Sequence, residues 1–429
     1  MKTIIALLLS ALAVGAAPFE TLPTGKPIPG QYIVVLTPNH FPADVASAHA
    51  LSRKFTYRHA LAGFSAKVPE ARLAALKRDP RVKLVEEDVE VKALAQTVPT
   101  GIRRIGASPA GTDGVDSRVD ADIAILDTGI DLTHPDLNIY RGVSFTADNS
   151  TGNDGNGHGS HCAGIAAALD NSLGVVGVAP GARLWAVKVL DDTGSGSLSG
   201  VIAGVDYVTE HSAEIEVVNM SLGGLGMIDS LRYAISNSVA RGVVYVVAAG
   251  NSSYNVYGSD RVLGTSDDFF PASYPECMAI TALVDTDGKA GGTGLADGYG
   301  ADDTLATFSN YGADPDVQKT VVSPGGSIDI AAPGVNIYST YKNGAYATMS
   351  GTSMASPHAA GAVALYVSQF GRARNSDNVR SIRQAFIASA SAQTNWGVNP
   401  PNPNPFKDFF AEGLLSITNL TAAPTPIPI

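Results

Sequence analysis

Cysteine is scarce. The 429-residue chain holds two, Cys162 and Cys277, so at most one intrachain disulfide can form and a disulfide scaffold is excluded. Charge is thin too, at 16% of residues, and it leans acidic to a net −11. Such a balance argues against nucleic acid as the main partner. Beyond the N-terminus no run reaches the ~18 uninterrupted apolar residues of a membrane span. Apolar residues make up 45%, which is globular composition and excludes wholesale disorder. Glycine is what abounds, at 45 residues, and it points to many tight turns. The length admits two or three domains.

The chain opens on Met-Lys, an apolar run from Ile4 to Val14, and Gly15-Ala16-Ala17. That is the pattern of a secretory signal peptide over residues 1–16, too short to span a bilayer, with a cut near Ala16. A secreted, extracellular protein is expected. Residues 31–93 read as a separate unit. Its predicted order is a strand at Tyr32–Leu36, a helix at Asp44–Phe55, a strand at Gly63–Val68, a helix at Pro69–Arg78 and a strand at Val82–Val91. Residues 1–94 carry 12 basic and 8 acidic residues, and the remainder 17 and 32. The asymmetry suggests a basic piece that docks on an acidic one, with plain solvated surface charge as the alternative.

The remainder alternates short apolar runs with helical ones. Strands are predicted at Ile123–Leu126, Val217–Ser221, Val243–Ala248, Ile280–Val284 and Ile328–Ala332. Helices are predicted at Gly159–Ala168, Leu198–His211, Asp229–Arg241, Thr352–Phe370 and Asn378–Ala390. Nearly continuous apolar strands between helices imply an α/β layered domain with a mostly parallel sheet, whose ligands bind at the carboxyl ends of the strands. The Pro-rich end, from Pro400 to Pro405 and Pro424 to Ile429, reads as a tail.

Three stretches carry chemistry. One strand ends in Ala124-Ile-Leu-Asp127-Thr-Gly129. A Gly-rich turn, Asn156-Gly-His158-Gly-Ser-His161, opens a helix. Ser350-Gly-Thr-Ser353-Met-Ala-Ser-Pro-His358 places Ser353 at a helix start. Acyl transfer needs a nucleophile, a base and an acid that orients the base, and these stretches supply all three. Each residue alone has a plainer use. Asp127 could be a turn carboxylate, His158 a structural histidine and Ser353 a helix N-cap. His158 and His161 are not spaced as a zinc-protease pair.

Taken in order, these motifs resemble the subtilisin-like serine peptidases, including the proteinase K relatives. The resemblance spans almost the whole chain. It implies a layered subtilisin-like domain from 95 to 429, preceded by a small α+β ferredoxin-like inhibitory prosegment over 17–94. It implies hydrolysis of peptide bonds through Asp127, His158 and Ser353, with Asn251 of Ala248-Ala-Gly250-Asn251 as the oxyanion donor. Asn251-Ser-Ser253 is also a glycosylation sequon, which burial beside the nucleophile would exclude. By the same resemblance Gly194-Ser195-Gly196 and Ser221-Leu222-Gly223 are the two edges that pair with an extended peptide. Surface turns are the alternative for the first. Structural calcium is implied at Gln96, Asp136 and the loop Leu169, Asn171, Leu173 and Val175, with a second cation site at Pro275, Cys277 and Asp329. The junction Leu94–Ala95 resembles the family's self-cleavage site. Cys162 resembles a lone cysteine of some relatives, and two buried free thiols are expected. Ser160 stands where the family usually has Thr.

These features imply a secreted serine endopeptidase made as a zymogen, a monomer acting on protein and peptide substrates, with its own prosegment as inhibitor and chaperone. The Ser-Glu-Asp sedolisin class is excluded because the base here is His158. Two readings remain for the main pocket. Phe269 and Phe270 make an apolar floor, or Asp267 or Asp268 attracts a basic side chain. The alternative function is a catalytically silent binding protein on the same scaffold, or a free-standing inhibitor made of the 31–93 unit. Residues 286–303 and 313–327 read as insertions without an assigned role.

Overall fold

The computed structural model describes residues 27–89, 96–107, 118–148, 151–312, 327–392, 412–418 and 420. The predicted signal peptide, the Leu94–Ala95 junction, most of the second insertion and the Pro-rich tail lie outside them. Contacts divide the chain into two units, 1–93 and 94–429.

The first unit runs strand Pro27–Leu36, helix Pro42–Ala48, strands Arg53–Tyr57 and Gly63–Lys67, helix Glu70–Lys77 and strand Val82–Val89. The four strands form one antiparallel sheet in which Pro27–Leu36 lies between Gly63–Lys67 and Val82–Val89. This is the strand–helix–strand, strand–helix–strand order of a ferredoxin-like unit. Val34, Val45, Phe64, Ala66 and Leu76 are its fully buried core. One expectation is corrected. The helix predicted to run from Asp44 to Phe55 stops at Ala48, and Arg53–Tyr57 is a strand. Ala50 turns the chain at φ +49°. Arg72 Nη1 donates to the carbonyls of His49 and Ala50 at 3.1 and 2.6 Å, which anchors the helix end. The freed segment then completes a sheet edge against Gly63–Lys67.

The second unit is an α/β layered domain around a nine-stranded sheet. The order from one edge is Gly413–Leu414, Ile330–Pro333, Met278–Val284, Val244–Ala248, Val217–Met220, Asp122–Asp127, Arg183–Lys188 and Ile139–Ser144. These pair in parallel, and Thr304–Leu305 joins Met278–Val284 antiparallel. All five predicted strands lie in this sheet. The periodicity did not mark Arg183–Lys188 or Ile139–Ser144, which start or end with charged and polar residues. Arg183 donates to Asp122, which ties the starts of two neighbouring strands. Asp122–Asp127 and Val244–Ala248 are buried at every position, as strands covered on both faces must be.

Helix Thr352–Phe370 is apolar nearly all round and lies inside the domain, against helix His158–Ala167 and the sheet. Three neighbouring strands end side by side. Asp127 closes one, Ser221 follows the next, and Gly250-Asn251 follows the third. The topology therefore delivers four of the predicted site residues to one sheet edge, where open α/β sheets bind ligands. No helix among the described residues is long and apolar enough to cross a membrane.

Candidate active site

Asp127 is fully buried and His158 keeps 22% of its side-chain surface exposed. His158 Nδ1 donates to Asp127 Oδ1 at 2.7 Å, and the Thr128 N–H donates to the same oxygen. This leaves Nε2 as the ring nitrogen without a proton in neutral His158, and so as the one open to accept a proton. Burial disfavours the imidazolium, but the charge and hydrogen bond of Asp127, helped by Asp154, outweigh it and raise His158 above the ordinary value.

Sequence reasoning missed the residue that builds this turn. Asp154 is buried and accepts five hydrogen bonds. Oδ1 takes Asn156 N, Gly157 N and Thr128 Oγ1, and Oδ2 takes Ser160 N and Ser160 Oγ, all at 2.6–2.9 Å. One carboxylate thus ties the strand end after Asp127 to the start of the His158 helix. Ser160, the departure from the usual Thr, keeps the needed hydroxyl. Gly157, at φ +111°, precedes His158, and a Cβ there would meet the Tyr341 ring at 2.3 Å. His161, by contrast, is a core histidine. Its Nε2 faces the carbonyls of Ile337 and Ala347, both at 3.0 Å, and burial pushes it down to about 3.

Ser353 sits in the first turn of helix Thr352–Phe370. Pro357, four residues on, has no N–H to give the Ser353 carbonyl. That carbonyl accepts instead from Ser221 Oγ at 2.9 Å and Cys162 Sγ at 3.3 Å. Cys162 Sγ in turn lies within 4.8 Å of ligand atoms of Asp127 and His158, so the three motif residues converge on one spot. Among the described residues Ser353 Oγ reaches only the Ser221 carbonyl, at 3.4 Å. A hydroxyl rotates freely toward a base once substrate arrives. Both cysteines are free and buried, as expected, and burial holds the Cys162 thiol protonated.

Asn251 is exposed rather than buried, so burial does not exclude a glycan there. Its amide is nonetheless oriented. Oδ1 accepts from Thr352 N and Thr352 Oγ1, both at 2.8 Å, and Gly250 N donates to Thr352 Oγ1 at 3.1 Å. With the oxygen occupied, Nδ2 is the free end, near Gly351. Thr352 lay within the quoted motif, but only the fold assigns it this task.

Gly194, Ser195 and Gly196 are exposed, and Gly194 adopts φ +83°. Leu222 is half-buried and Gly223 exposed. The Phe269 ring lies between Gly223 and Gly250, where a Cβ on either would approach it to 2.8 and 2.7 Å. Gly250 also has φ +104°. Asp267 is tied to its own loop. Its Oδ2 accepts from Ser259 N and Oγ at 2.8 Å, and its Oδ1 from Thr265 Oγ1 at 2.7 Å. Asp268 is fully buried, with Oδ2 held by Gly264 N.

The predicted calcium ligands also meet. Gln96 Nε2 points at the carbonyls of Leu169 and Val175. The neighbouring Thr97 pairs with the same loop. Asp136 Oδ2 accepts from Val175 N at 3.0 Å and Tyr346 OH at 3.1 Å, and Asn171 Oδ1 from Leu173 N at 2.9 Å. Gln96 Oε1 and Asp136 Oδ1 are buried without a hydrogen-bond partner. Burial pushes the Asp136 carboxyl up to about 6. Oxygen donors short of positive charge fit a hard cation. The second predicted site does not fit one. Buried Arg383 donates through Nη1 to the Pro275 carbonyl at 2.6 Å and through Nη2 to both Asp329 oxygens at 2.9 and 3.2 Å. A guanidinium supplies the positive charge that the Pro275, Cys277 and Asp329 expectation gave to an ion.

Residues 120–407 match the family described as "Subtilase family", and residues 31–94 match "Peptidase inhibitor I9". An "Alkaline protease" of Alkalihalobacillus alcalophilus is 41% identical over 291 residues, 68% of this chain and 65% of that protein. The chain thus spans just under two thirds of that relative's length. "Subtilisin E" of Bacillus subtilis (strain 168) is 38% identical over 320 residues, 74% of this chain and 73% of the relative. A solved structure titled as that of a cold adapted subtilisin-like serine proteinase aligns with a TM-score of 0.54 at 26% identity, covering 75% of this chain and 98% of its own.

Two outcomes are expected from this geometry. Any reaction that uses neutral His158 as its base will rise with pH through a midpoint above the ordinary imidazole value of about 6.5. A kcat/KM profile with its midpoint well below that value would contradict the Asp127–His158 pairing. Arg383→Leu strands the Asp329 carboxylate in the core and should cost about 3–5 kcal/mol of stability. Urea unfolding of the inhibitor-blocked protein measures it. Adding Asp329→Leu should recover part of the loss, and no recovery would mean that the pair is not the cause.

Proposed function

Since this chain belongs to the subtilase family, we propose that it is a secreted serine endopeptidase made as a zymogen. Residues 1–16 are its signal peptide, 17–94 its inhibitory prosegment and 95–429 its peptidase domain, with self-cleavage at Leu94–Ala95. The observation that carries this proposal is the convergence of a buried Asp127–His158 hydrogen bond, Ser353 at a helix start and an Asn251 amide whose oxygen is already taken.

The chemistry is acyl transfer. Ser353 Oγ attacks the scissile carbonyl while His158 Nε2 takes its proton. Asp127 holds the ring and stabilises the imidazolium. Asn251 Nδ2 and the Ser353 N–H stabilise the oxyanion, the side-chain donor contributing about 3 kcal/mol. His158 then protonates the leaving amine. Water, activated by the same imidazole, attacks the acyl-enzyme, releases the acid and returns the hydroxyl to Ser353. Gly194-Ser195-Gly196 and Ser221-Leu222-Gly223 pair with the extended substrate backbone. The Phe269 ring between Gly223 and Gly250 supports an apolar preference at the residue before the cut, and the engagement of Asp267 by Ser259 and Thr265 of its own loop disfavours its pairing with a basic one. Gln96, Asp136, Leu169, Asn171, Leu173 and Val175 would hold one structural calcium, which ties the chain start to the loop after the His158 helix.

Ser353→Ala should lower kcat by more than about 10⁴-fold with unchanged circular dichroism, and leave the precursor uncut at Leu94–Ala95. Near-normal activity in the folded variant would sink the proposal. A peptide library cut by the parent enzyme should be dominated by apolar residues such as leucine, and dominance by Arg and Lys would reject the pocket assignment. Binding only to the folded state, calcium at 100 times its Kd should add about 2.7 kcal/mol, or roughly 5 °C in Tm. A chelator should reverse that shift in the parent. In Asp136→Asn the shift should be much smaller, and an undiminished shift would place the ion elsewhere.

A further inference from the structure

The 286–303 insertion lies outside the site described above, yet it is bounded by carboxylates. Asp285, Asp302 and Asp303 are each no more than 2% exposed. Burying a carboxylate costs several kcal/mol unless a positive group or a full set of donors meets it. Among the described residues only Arg104 comes within ion-pair distance of the group. It is committed to Asp303, whose Oδ1 takes Arg104 Nε at 3.0 Å and Nη2 at 2.8 Å. Asp303 Oδ2 takes the N–H groups of Gly291 and Gly292. Asp285 lies 3.9 Å from the same guanidinium. Asp303 is thus accounted for. Asp302 Oδ1 takes Thr286 N and Oγ1, its Oδ2 takes Gly294 N, and Asp285 Oδ1 takes Gly288 N, so these two acids have neutral donors but no cation in hydrogen-bond contact.

Asp285, Asp287 and Asp302 each offer a carboxylate oxygen, and these oxygens all lie within 4.8 Å of one another. Independently, Asp285 Oδ2 is buried with no hydrogen-bond partner. Opposite ligands of a calcium ion stand about 4.6–5.2 Å apart, so one ion can reach all three. Calcium also tolerates an irregular oxygen shell drawn from a loop, where magnesium demands a near-ideal octahedron with bonds of about 2.0–2.1 Å. We propose that Asp285, Asp287 and Asp302 hold a calcium ion that pins the 286–303 insertion to the catalytic unit. Its effect reaches toward the nucleophile. Within the insertion, Asp297 Oδ2 accepts from Asn336 Nδ2 at 2.6 Å, and Asn336 N donates to Ser350 Oγ at 2.9 Å. Ser350 begins the turn that ends in Ser353. This ion is separate from the one assigned to Gln96 and Asp136.

The test counts calcium bound per chain by equilibrium dialysis, using the full chain with Ser353→Ala to prevent self-digestion. Loop sites of this kind bind at about 10⁻⁴–10⁻³ M, so calcium up to roughly 5 mM is needed. Adding Asp287→Asn should remove one ion per chain, and should do so equally in an Asp136→Asn background. Lys289 N donates to Asp287 Oδ1 and Thr293 Oγ1 to Oδ2, and an asparagine keeps both contacts, its oxygen accepting from Lys289 N and its NH2 donating to the Thr293 hydroxyl. Equal counts with and without Asp287→Asn would overturn the proposal. Hydrogen exchange of the unsubstituted Ser353→Ala chain is the second readout and does not depend on how the Asn variant folds. Saturating calcium should slow amides within 285–303 at least tenfold, and unchanged exchange there would overturn it.

Discussion

The first turn of the buried helix at Thr352 cannot satisfy its own backbone, and the candidate site is assembled from the groups that satisfy it. A helix start leaves N–H groups without partners. The Thr352 N–H finds the Asn251 oxygen, and Pro357 frees the Ser353 carbonyl for Ser221 and Cys162. Three separate chain segments are thereby drawn to one helix end. The Ser353 N–H is not used in any of these bonds, and at a helix N-terminus it carries the partial positive charge of that end. The same requirement that stabilises the helix therefore orients the two donors that the proposed mechanism assigns to the oxyanion.

Buried carboxylates are the second organising device. Asp127, Asp136, Asp154 and Asp329 are nearly or fully buried, and each is answered differently. Asp154 gathers five N–H and O–H donors and needs no cation. Asp329 is answered by a guanidinium. Asp136 keeps an oxygen without a partner, and a bound ion would complete it. Asp127 also keeps one bare oxygen, and in the proposed mechanism its positive partner is the transient imidazolium of His158. A carboxylate fully satisfied in the resting state would gain less from that charge, so its incomplete solvation is consistent with a role in catalysis.

What could be read in the sequence follows from how local each signal is. Strand Asp122–Asp127 was visible because both its faces are buried and its residues are almost all apolar. Helix Thr352–Phe370 had the same clarity. Asp127, His158, Asn251 and Ser353 stood in short motifs whose neighbours identify them. Arg53–Tyr57 did not, because it is mostly exposed and becomes a strand only by pairing with Gly63–Lys67. Arg183–Lys188 ends in a lysine that the fold buries completely, with Nζ held by the Thr128 carbonyl and Asp192. Composition alone assigns such a residue to the surface.

The misses at the site share a cause. Asp154, Thr352 and Arg383 act through partners that are remote in sequence or through a choice between two hydrogen-bonding ends. Arg383 stands 54 residues from Asp329 and 108 from Pro275. Its helix, observed at Ser376–Ser389, was expected at Asn378–Ala390, and that expectation says nothing of what position 383 meets. A long cation on a buried face must find a counter-charge, since burying it unpaired costs several kcal/mol. The arginine and the aspartate therefore imply one another, but only once the helix is seen to cross the start of strand Ile330–Pro333. Resemblance to relatives that place an ion there points to the right location and the wrong occupant. The physical requirement is positive charge beside Asp329, and a covalently attached guanidinium meets it without depending on a bound ion.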